Sequence, residues 1–322
     1  MDPAAFCQAA RVLIVAGKGG VGKTTVTAAV ARMASRLGLS TLIVEIEGKS
    51  GLGATFGHPD PLTYAEVVLL PAEAGRAEVR ARTLTPDDAL VEYLIDHGLK
   101  RVSKRLVSTG ALDVVATAVP GLRDILVLGK VKSLERGSAA DLIVVDAPAA
   151  GHAVTFLTSA PGLLDAFRVG PIRTQAADVV ALLSDPRRCQ VLLVTLPEET
   201  PVNEAVETAF KIEDRVGVSL TPVVVNGVYP PTDGLAEPSP EETTAAGIGA
   251  EDAGALRAAA AFRLGRQALQ AQQIGRLAEA LPLPQLRLPY LFSTEVGPAE
   301  VEQLADALAA QIAALPEPAV RP

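Results

Sequence analysis

Apolar positions in this chain alternate between two patterns. Short unbroken runs are separated by longer stretches where apolar residues recur every three or four places. Arg11-Val-Leu-Ile-Val-Ala16 is a continuous run that stops at glycine, the pattern of a strand buried on both faces. Thr24–Leu37 then has helical spacing, with Gly38 closing it, and Thr41-Leu-Ile-Val-Glu-Ile46 is a second buried run. Strand, helix and strand within the first fifty residues make a βαβ unit, which commits the fold to a parallel sheet. Further strands are predicted at Ala77–Leu84, Leu142–Val145, Val191–Thr195, Val223–Val225 and Leu286–Leu288.

Helical spacing dominates elsewhere. It is clear in an insert at about 86–136, through Ala89, Leu90, Tyr93 and Leu94 and again through Leu122, Ile125, Leu126 and Gly129. Another helix carries Val202, Ala205, Val206 and Ala209 on one face, with Thr200 expected as N-cap and Pro201 in the first turn. A long helix is expected at 255–281, and a terminal one at Gly297–Leu315 with Val301, Leu304, Leu308 and Ile312 aligned. Pro230–Gly254 is rich in Pro, Gly, Glu and Thr and predicts an exposed, mobile connection; Pro316–Pro322 is expected to fray. The expectation is one α/β domain over 1–322, with a mostly parallel central sheet flanked by helices, plus the helical insert.

Gly17-Lys18-Gly19-Gly20-Val21-Gly22-Lys23-Thr24 is a Gly-x-x-x-x-Gly-Lys-Thr loop directly after a strand and opening a helix, so the expected fold is a P-loop NTPase. Glycines let backbone N–H groups converge on phosphate oxygens, and the helix N-terminus adds partial positive charge. Lys23 reaches the β- and γ-phosphates, Thr24 offers its hydroxyl to Mg²⁺, and Thr25 contacts the α-phosphate. Asp146, at the end of the apolar run Leu142–Val145, supplies a carboxylate that holds the Mg²⁺ through water. ATP or ADP and Mg²⁺ are the expected cofactors.

Lys18, directly after the first glycine, narrows the reading. Gly-Lys-Gly-Gly-x-Gly-Lys-Thr resembles the deviant phosphate loop of arsenical-pump, tail-anchored-protein-targeting, septum-site and partition ATPases. Asp146-Ala-Pro-Ala-Ala-Gly-His152 is similar to the Asp-Thr-Ala-Pro-Thr-Gly-His signature of the arsenical-pump and tail-anchored-targeting branch, with Ala147, Ala150 and Ala153 where that branch carries threonines. The resemblance implies that Lys18 crosses a dimer interface to the nucleotide of the partner subunit. It implies that Gly151 offers its N–H to the γ-phosphate, and that Glu47, in place of the family's Asp, orients the attacking water. Glu45 is read as pointing to the opposite side of its strand. Asn226 would meet the adenine edge, and Pro289-Tyr290-Leu291 would pack against the base.

Charge and cysteine content then restrict the job. With 29 basic and 37 acidic residues the chain carries net charge −8, which disfavours a nucleic-acid partner and a partition ATPase. Cys7 and Cys189 are too far apart in sequence for a three-thiolate metalloid site or a zinc-bridging CxxC, and are expected to be packing residues. The N-terminus lacks a charged-then-apolar signal pattern, and Arg11–Gly17 is too short to span a bilayer, so a soluble cytoplasmic protein is expected. Gly297–Leu315 has neither Lys nor Arg, so direct membrane insertion through a basic amphipathic helix is not expected. The expected activity is Mg²⁺-dependent ATP hydrolysis by a homodimer, or a heterodimer with a paralogous ATPase, coupled to a protein client such as an apolar helix or membrane protein. The insert either builds the client groove or packs into the core. The alternatives are a positioning ATPase of the partition or septum-site type, and a nucleotide-binding module with negligible hydrolysis.

Overall fold

The computed structural model describes residues 1–46, 51–96, 98, 101, 121–232 and 239–317. Among these residues nine strands form one sheet: β1 (Val12–Gly17), β2 (Thr41–Ile46), β3 (Val67–Leu70), β4 (Val79–Leu84), β5 (Leu142–Ala149), β6 (Cys189–Thr195), β7 (Ser219–Leu220), β8 (Val223–Val228) and β9 (Gln285–Pro289). Their order is β3-β4-β2-β5-β1-β6-β8-β9, with β7 paired to β6 off this path. Every pairing is parallel except β3 with β4. β1 and β2 are buried along their whole length, as their unbroken apolar runs predict.

Helices among the described residues are α1 (Pro3–Gln8), α2 (Lys23–Arg36), α3 (Leu52–Thr55), α4 (Pro86–Asp96), α5 (Leu122–Arg136), α6 (Ala150–Ala166), α7 (Pro171–Leu183), α8 (Glu199–Val216), α9 (Pro240–Ala245), α10 (Ala250–Ala280) and α11 (Pro298–Ala313). They cover both sheet faces. One face packs Leu13, Val15, Val144 and Leu192 against Val26, Val30 and Met33 of α2 and Leu304 and Leu308 of α11. The other packs Ile14, Val44, Val145 and Leu193 against α5 to α8, with Leu128, Phe156, Leu157, Val179 and Ile212 at its centre. The sheet grows from β1 in both directions, through β5 and β2 on one side and β6 and β8 on the other. In open parallel sheets the ligand crevice lies beyond the carboxyl ends of the strands where the order reverses, here the end of β1.

Several expectations need correction. Helix α8 starts two residues earlier than Thr200 as N-cap implies, with Glu198 as N-cap and no side-chain cap. Pro230–Gly254 is not wholly an irregular connection: α9 and the first turn of α10 fall in it. The signal was present, because Ser239 and Glu242 form a reciprocal capping box: the Ser239 hydroxyl accepts from the Glu242 N–H (3.2 Å), and the Glu242 carboxylate accepts from the Ser239 N–H (2.8 Å). Residues 233–238 lie outside the described residues, as do most of 97–120 and the final 318–322. In the insert, α4 and α5 pack together through Ala89, Leu90 and Leu126, with Tyr93, Leu94 and Leu122 at the edge.

Candidate active site

The end of β1 turns sharply into the phosphate loop because three positions there admit only glycine. A Cβ on Gly17 would sit 2.2 Å from the Val194 carbonyl oxygen of β6, so the loop lies flush against the neighbouring strand. Gly20 and Gly22 hold φ of 84° and 89°, the left-handed region that side chains disfavour. A Cβ on Gly20 would meet nothing within 4 Å, whereas one on Gly22 would lie 2.3 Å from Asn226 Nδ2. Gly19 and Gly20 are exposed, so the loop presents bare backbone outward.

Lys23 is the first residue of α2 and is only 9% exposed; its ammonium donates to the Lys18 carbonyl at 3.0 Å, arched back over the loop. Thr24 follows, and its hydroxyl donates to Asp146 Oδ2 at 2.6 Å. This contact joins residues 122 positions apart, and the sheet explains it. β5 lies beside β1, Asp146 is in register with Val15, and its side chain lies on the face that α2 covers. Thr25 is half-buried on the next position of α2.

Lys18 lies on the outer rim. Its ammonium pairs with Glu204 of α8 at 2.7 Å, both side chains being more than one-third exposed. An open cleft of about 340 Å³ separates the loop from the start of α8, lined by Lys18, Gly19, Gly20, Glu198, Glu199 and Thr200. Gly151 lies in the first turn of α6, exposed, where N–H groups have no intrahelical acceptor. His152 beside it is also exposed. Glu47 lies outside the described residues.

Glu45 does not point away from this site. It is in register with Asp146 on one side and Thr83 on the other, and it accepts a hydrogen bond from the Thr83 hydroxyl at 2.8 Å. Parallel partners in register share a face, so Glu45 lies on the Asp146 side of the sheet. The opposite-side reading of Glu45 failed on parity, because Glu45 and Glu47 are two positions apart and residues i and i+2 of a strand share a face.

On the far side of the loop, Asn226 donates through Nδ2 to the Val21 carbonyl at 2.9 Å, so this strand-end side chain also braces the phosphate loop. Tyr290 follows Pro289 at the end of β9, and its N–H donates to the Val228 carbonyl at 2.8 Å. Three rings gather there: Tyr290 lies 4.9 Å from Tyr229 and 5.0 Å from Phe292, with the Arg263 guanidinium 5.0 Å above the Phe292 ring. Gln270 of α10 ties this corner to β8, accepting from the Tyr229 N–H and donating to the Gly227 carbonyl. Tyr229, Phe292, Arg263 and Gln270 were not singled out in the sequence; no local motif carries them, because α10 supplies two from far along the chain.

Cys7 and Cys189 are both buried, one in each of the two clusters on opposite sheet faces. Burial is the main cause that pushes both thiols up to about 12. No three His, Cys, Asp or Glu side chains among the described residues are grouped so as to hold a metal ion. No helix among them is long and apolar enough to cross a membrane.

Comparison with known proteins agrees with this geometry. The sequence pattern of the family described as Anion-transporting ATPase matches residues 10–169, from β1 through α6. The ATPase BagA of Mycobacterium tuberculosis is 32% identical over 330 residues, covering 94% of this chain and 93% of the relative. A putative arsenical pump-driving ATPase of Halobacterium salinarum is 26% identical, over 89% of this chain and 42% of its own length. An arsenical pump-driving ATPase of Escherichia coli is 26% identical, over 69% of this chain and 40% of its own. The chain thus aligns with nearly all of the mycobacterial relative and under half of the other two. With its phosphate loop at the reversal point of a mostly parallel sheet, this chain is a P-loop ATP hydrolase belonging to the Anion-transporting ATPase family.

Proposed function

We propose that the chain hydrolyses ATP with Mg²⁺ as a dimer that closes around two nucleotides, and that nucleotide state governs its grip on a protein client. The observation that carries the reading is the Thr24–Asp146 contact under a loop of bare glycine backbone. A hydroxyl and a carboxylate are the hard oxygen donors that suit Mg²⁺, which takes one or two carboxylates and completes its shell with water and phosphate. When bound, the metal neutralises charge on the β- and γ-phosphates as the terminal bond breaks.

The chain's own residues do the rest. N–H groups of Gly19, Gly20, Val21, Gly22 and Lys23 donate to phosphate oxygens, and the α2 N-terminus adds its dipole. The Lys23 ammonium leaves the Lys18 carbonyl for the β- and γ-phosphates. Thr24 and Asp146 would hold the metal, the hydroxyl directly and the carboxylate through a water. Thr25 contacts the α-phosphate, and the Gly151 N–H serves the γ-phosphate. Glu47 orients the attacking water, a task of positioning more than of basicity. Asn226, Pro289 and Tyr290 border the base.

Lys18 makes the dimer reading specific. Its pair with Glu204 is exposed, and such pairs contribute under about 1 kcal/mol, so exchanging it for a phosphate of the partner subunit's nucleotide costs little. Metalloid carriage on thiolates does not fit, because both thiols stay protonated at neutral pH and lie on opposite faces of the sheet. Light scattering of the full chain with Mg²⁺ and ATP tests the assembly. The wild type should double in mass on adding nucleotide, and Lys18→Ala should lose that step. A wild type that stays monomeric would refute the dimer.

A further inference from the structure

Far from the phosphate loop, α5 carries a cluster of cations in a chain whose net charge is −8. Lys130, Lys132 and Arg136 line an open cleft of about 220 Å³ between α4, α5 and α7, and Glu92 is the one carboxylate among the described residues lining it. Glu92 is already answered, since the Lys130 ammonium and the Tyr64 hydroxyl both donate to it. Asp178 of α7 serves the other two cations, Lys132 at 2.9 Å and Arg136 at a longer 3.4 Å. Two cations on one carboxylate leave a positive charge in excess, and a cleft with low-dielectric walls concentrates its field. Lys132 is only 8% exposed, so water serves its ammonium poorly. Two of its three N–H groups go to Asp178 Oδ2 and, at 3.2 Å, to Gln175 Oε1, which leaves the third for a ligand. Gln175 Nε2 in turn lies against Gly129, where a Cβ would sit 1.7 Å from it. A glycine in the middle of α5 thus makes room for that amide at the wall of the cleft.

We propose that this cleft binds a small organic carboxylate with a short apolar body, and that Lys132, Arg136 and Gln175 hold its charged end. The Arg136 guanidinium is a planar fork of donors that matches a carboxylate. The opposite end of the cleft is apolar, where Leu126 packs with Ala89 and the edge of Tyr93. Leu126 and Lys132 are six residues apart on α5, about 9 Å along the helix, so a body of a few carbons spans the two ends. An inorganic oxyanion would satisfy the donors and leave the apolar end unused. None of residues 17–24 lines the cleft, which makes it distinct from the nucleotide centre.

Hexanoate is the probe, and the ring signals of the four tyrosines, isotope-labelled for NMR in the full chain, are the readout. Tyr93 lines the cleft, whereas Tyr229 and Tyr290 lie together at the ends of β8 and β9. Hexanoate should shift Tyr93 and leave Tyr229 and Tyr290 in place, with a dissociation constant on the order of 1 mM for so small a ligand. Acetate, which has the charge without the body, should bind roughly tenfold more weakly, and hexanol, which has the body without the charge, likewise. Arg136→Gln alters a side chain that is 56% exposed and should weaken hexanoate about tenfold, the loss expected of one charge-assisted bond. Gly129→Ala should weaken it several-fold, because the flexible end of Gln175 must move aside. Lys132→Met should remove binding altogether; should that variant not fold, Arg136→Gln and Gly129→Ala decide. Tyr93 unmoved at about ten times the expected constant overturns the proposal, and so do shifts at Tyr229 and Tyr290 instead. Acetate binding as tightly as hexanoate, or an Arg136→Gln affinity within about twofold of wild type, overturns it equally.

Discussion

Replacing Gly22 by alanine tests how the phosphate loop is held from behind. The residue sits at φ 89°, ψ 28°, where a Cβ crowds the following carbonyl at a cost of about 1–2 kcal/mol. The new methyl would also lie 2.3 Å from Asn226 Nδ2, far inside contact distance. Asn226 must then swing out and give up its 2.9 Å bond to the Val21 carbonyl, which contributes about 0.5–1.5 kcal/mol. The two effects together predict a loss of about 1.5–3.5 kcal/mol. Urea unfolding followed by far-UV circular dichroism is the suitable assay, since the chain has no Trp to report by fluorescence. A double-mutant cycle isolates the contact. In an Asn226→Ala background the collision is gone, so Gly22→Ala should cost only the backbone share. The double variant should therefore be about 1 kcal/mol more stable than the sum of the single losses. Additive losses, or a Gly22→Ala cost below about 0.5 kcal/mol, would refute the assigned collision and the bracing role of Asn226.

Two further outcomes follow from side chains already placed. Glu204→Ala should leave stability within about 0.5 kcal/mol, because its pair with Lys18 is exposed, and should tighten nucleotide-dependent association, seen by light scattering, about two- to fivefold; weaker association would contradict the account. The thiols predict a pH effect with a definite sign. Both are raised from an ordinary 9.0 to about 12 in the folded chain, so above pH 9 the unfolded chain releases these protons first. Stability complete below pH 9 should therefore fall between about 9 and 12, by up to about 1.4 kcal/mol per pH unit for each thiol. Alanine at both positions should flatten that slope in unfolding curves taken across the range, and an unchanged slope would count against it.

Much of the fold could be read from the chain because its strongest signals are local. Unbroken Val, Leu and Ile runs gave β1, β2 and β5, and the glycine loop fixed where α2 begins. Elements whose signals are weaker escaped notice. β3 is short, half-exposed and antiparallel, so neither alternation nor a buried run marked it. α6 opens directly from the Asp146 segment and contains Pro161, so its start reads as loop. The capping box of Ser239 and Glu242 was legible but masked by the composition around it. The candidate site divides along the same line. Lys18, Lys23, Thr24 and Asp146 stood out by motif. The partnership of Glu45 with Thr83 and Asp146 is set by strand order, and no local pattern reports which strands become neighbours. The Tyr229, Tyr290 and Phe292 cluster is likewise a product of β8 and β9 ending side by side under α10.

The central claim is that residues 17–24 form the catalytic centre for ATP, and steady-state phosphate release in Mg²⁺ tests it most directly. The wild type should turn over ATP, and Lys23→Ala should lose that activity by about a hundredfold or more, as expected when the charge that stabilises the transferring phosphoryl group is removed. Wild-type turnover in Lys23→Ala would contradict the account.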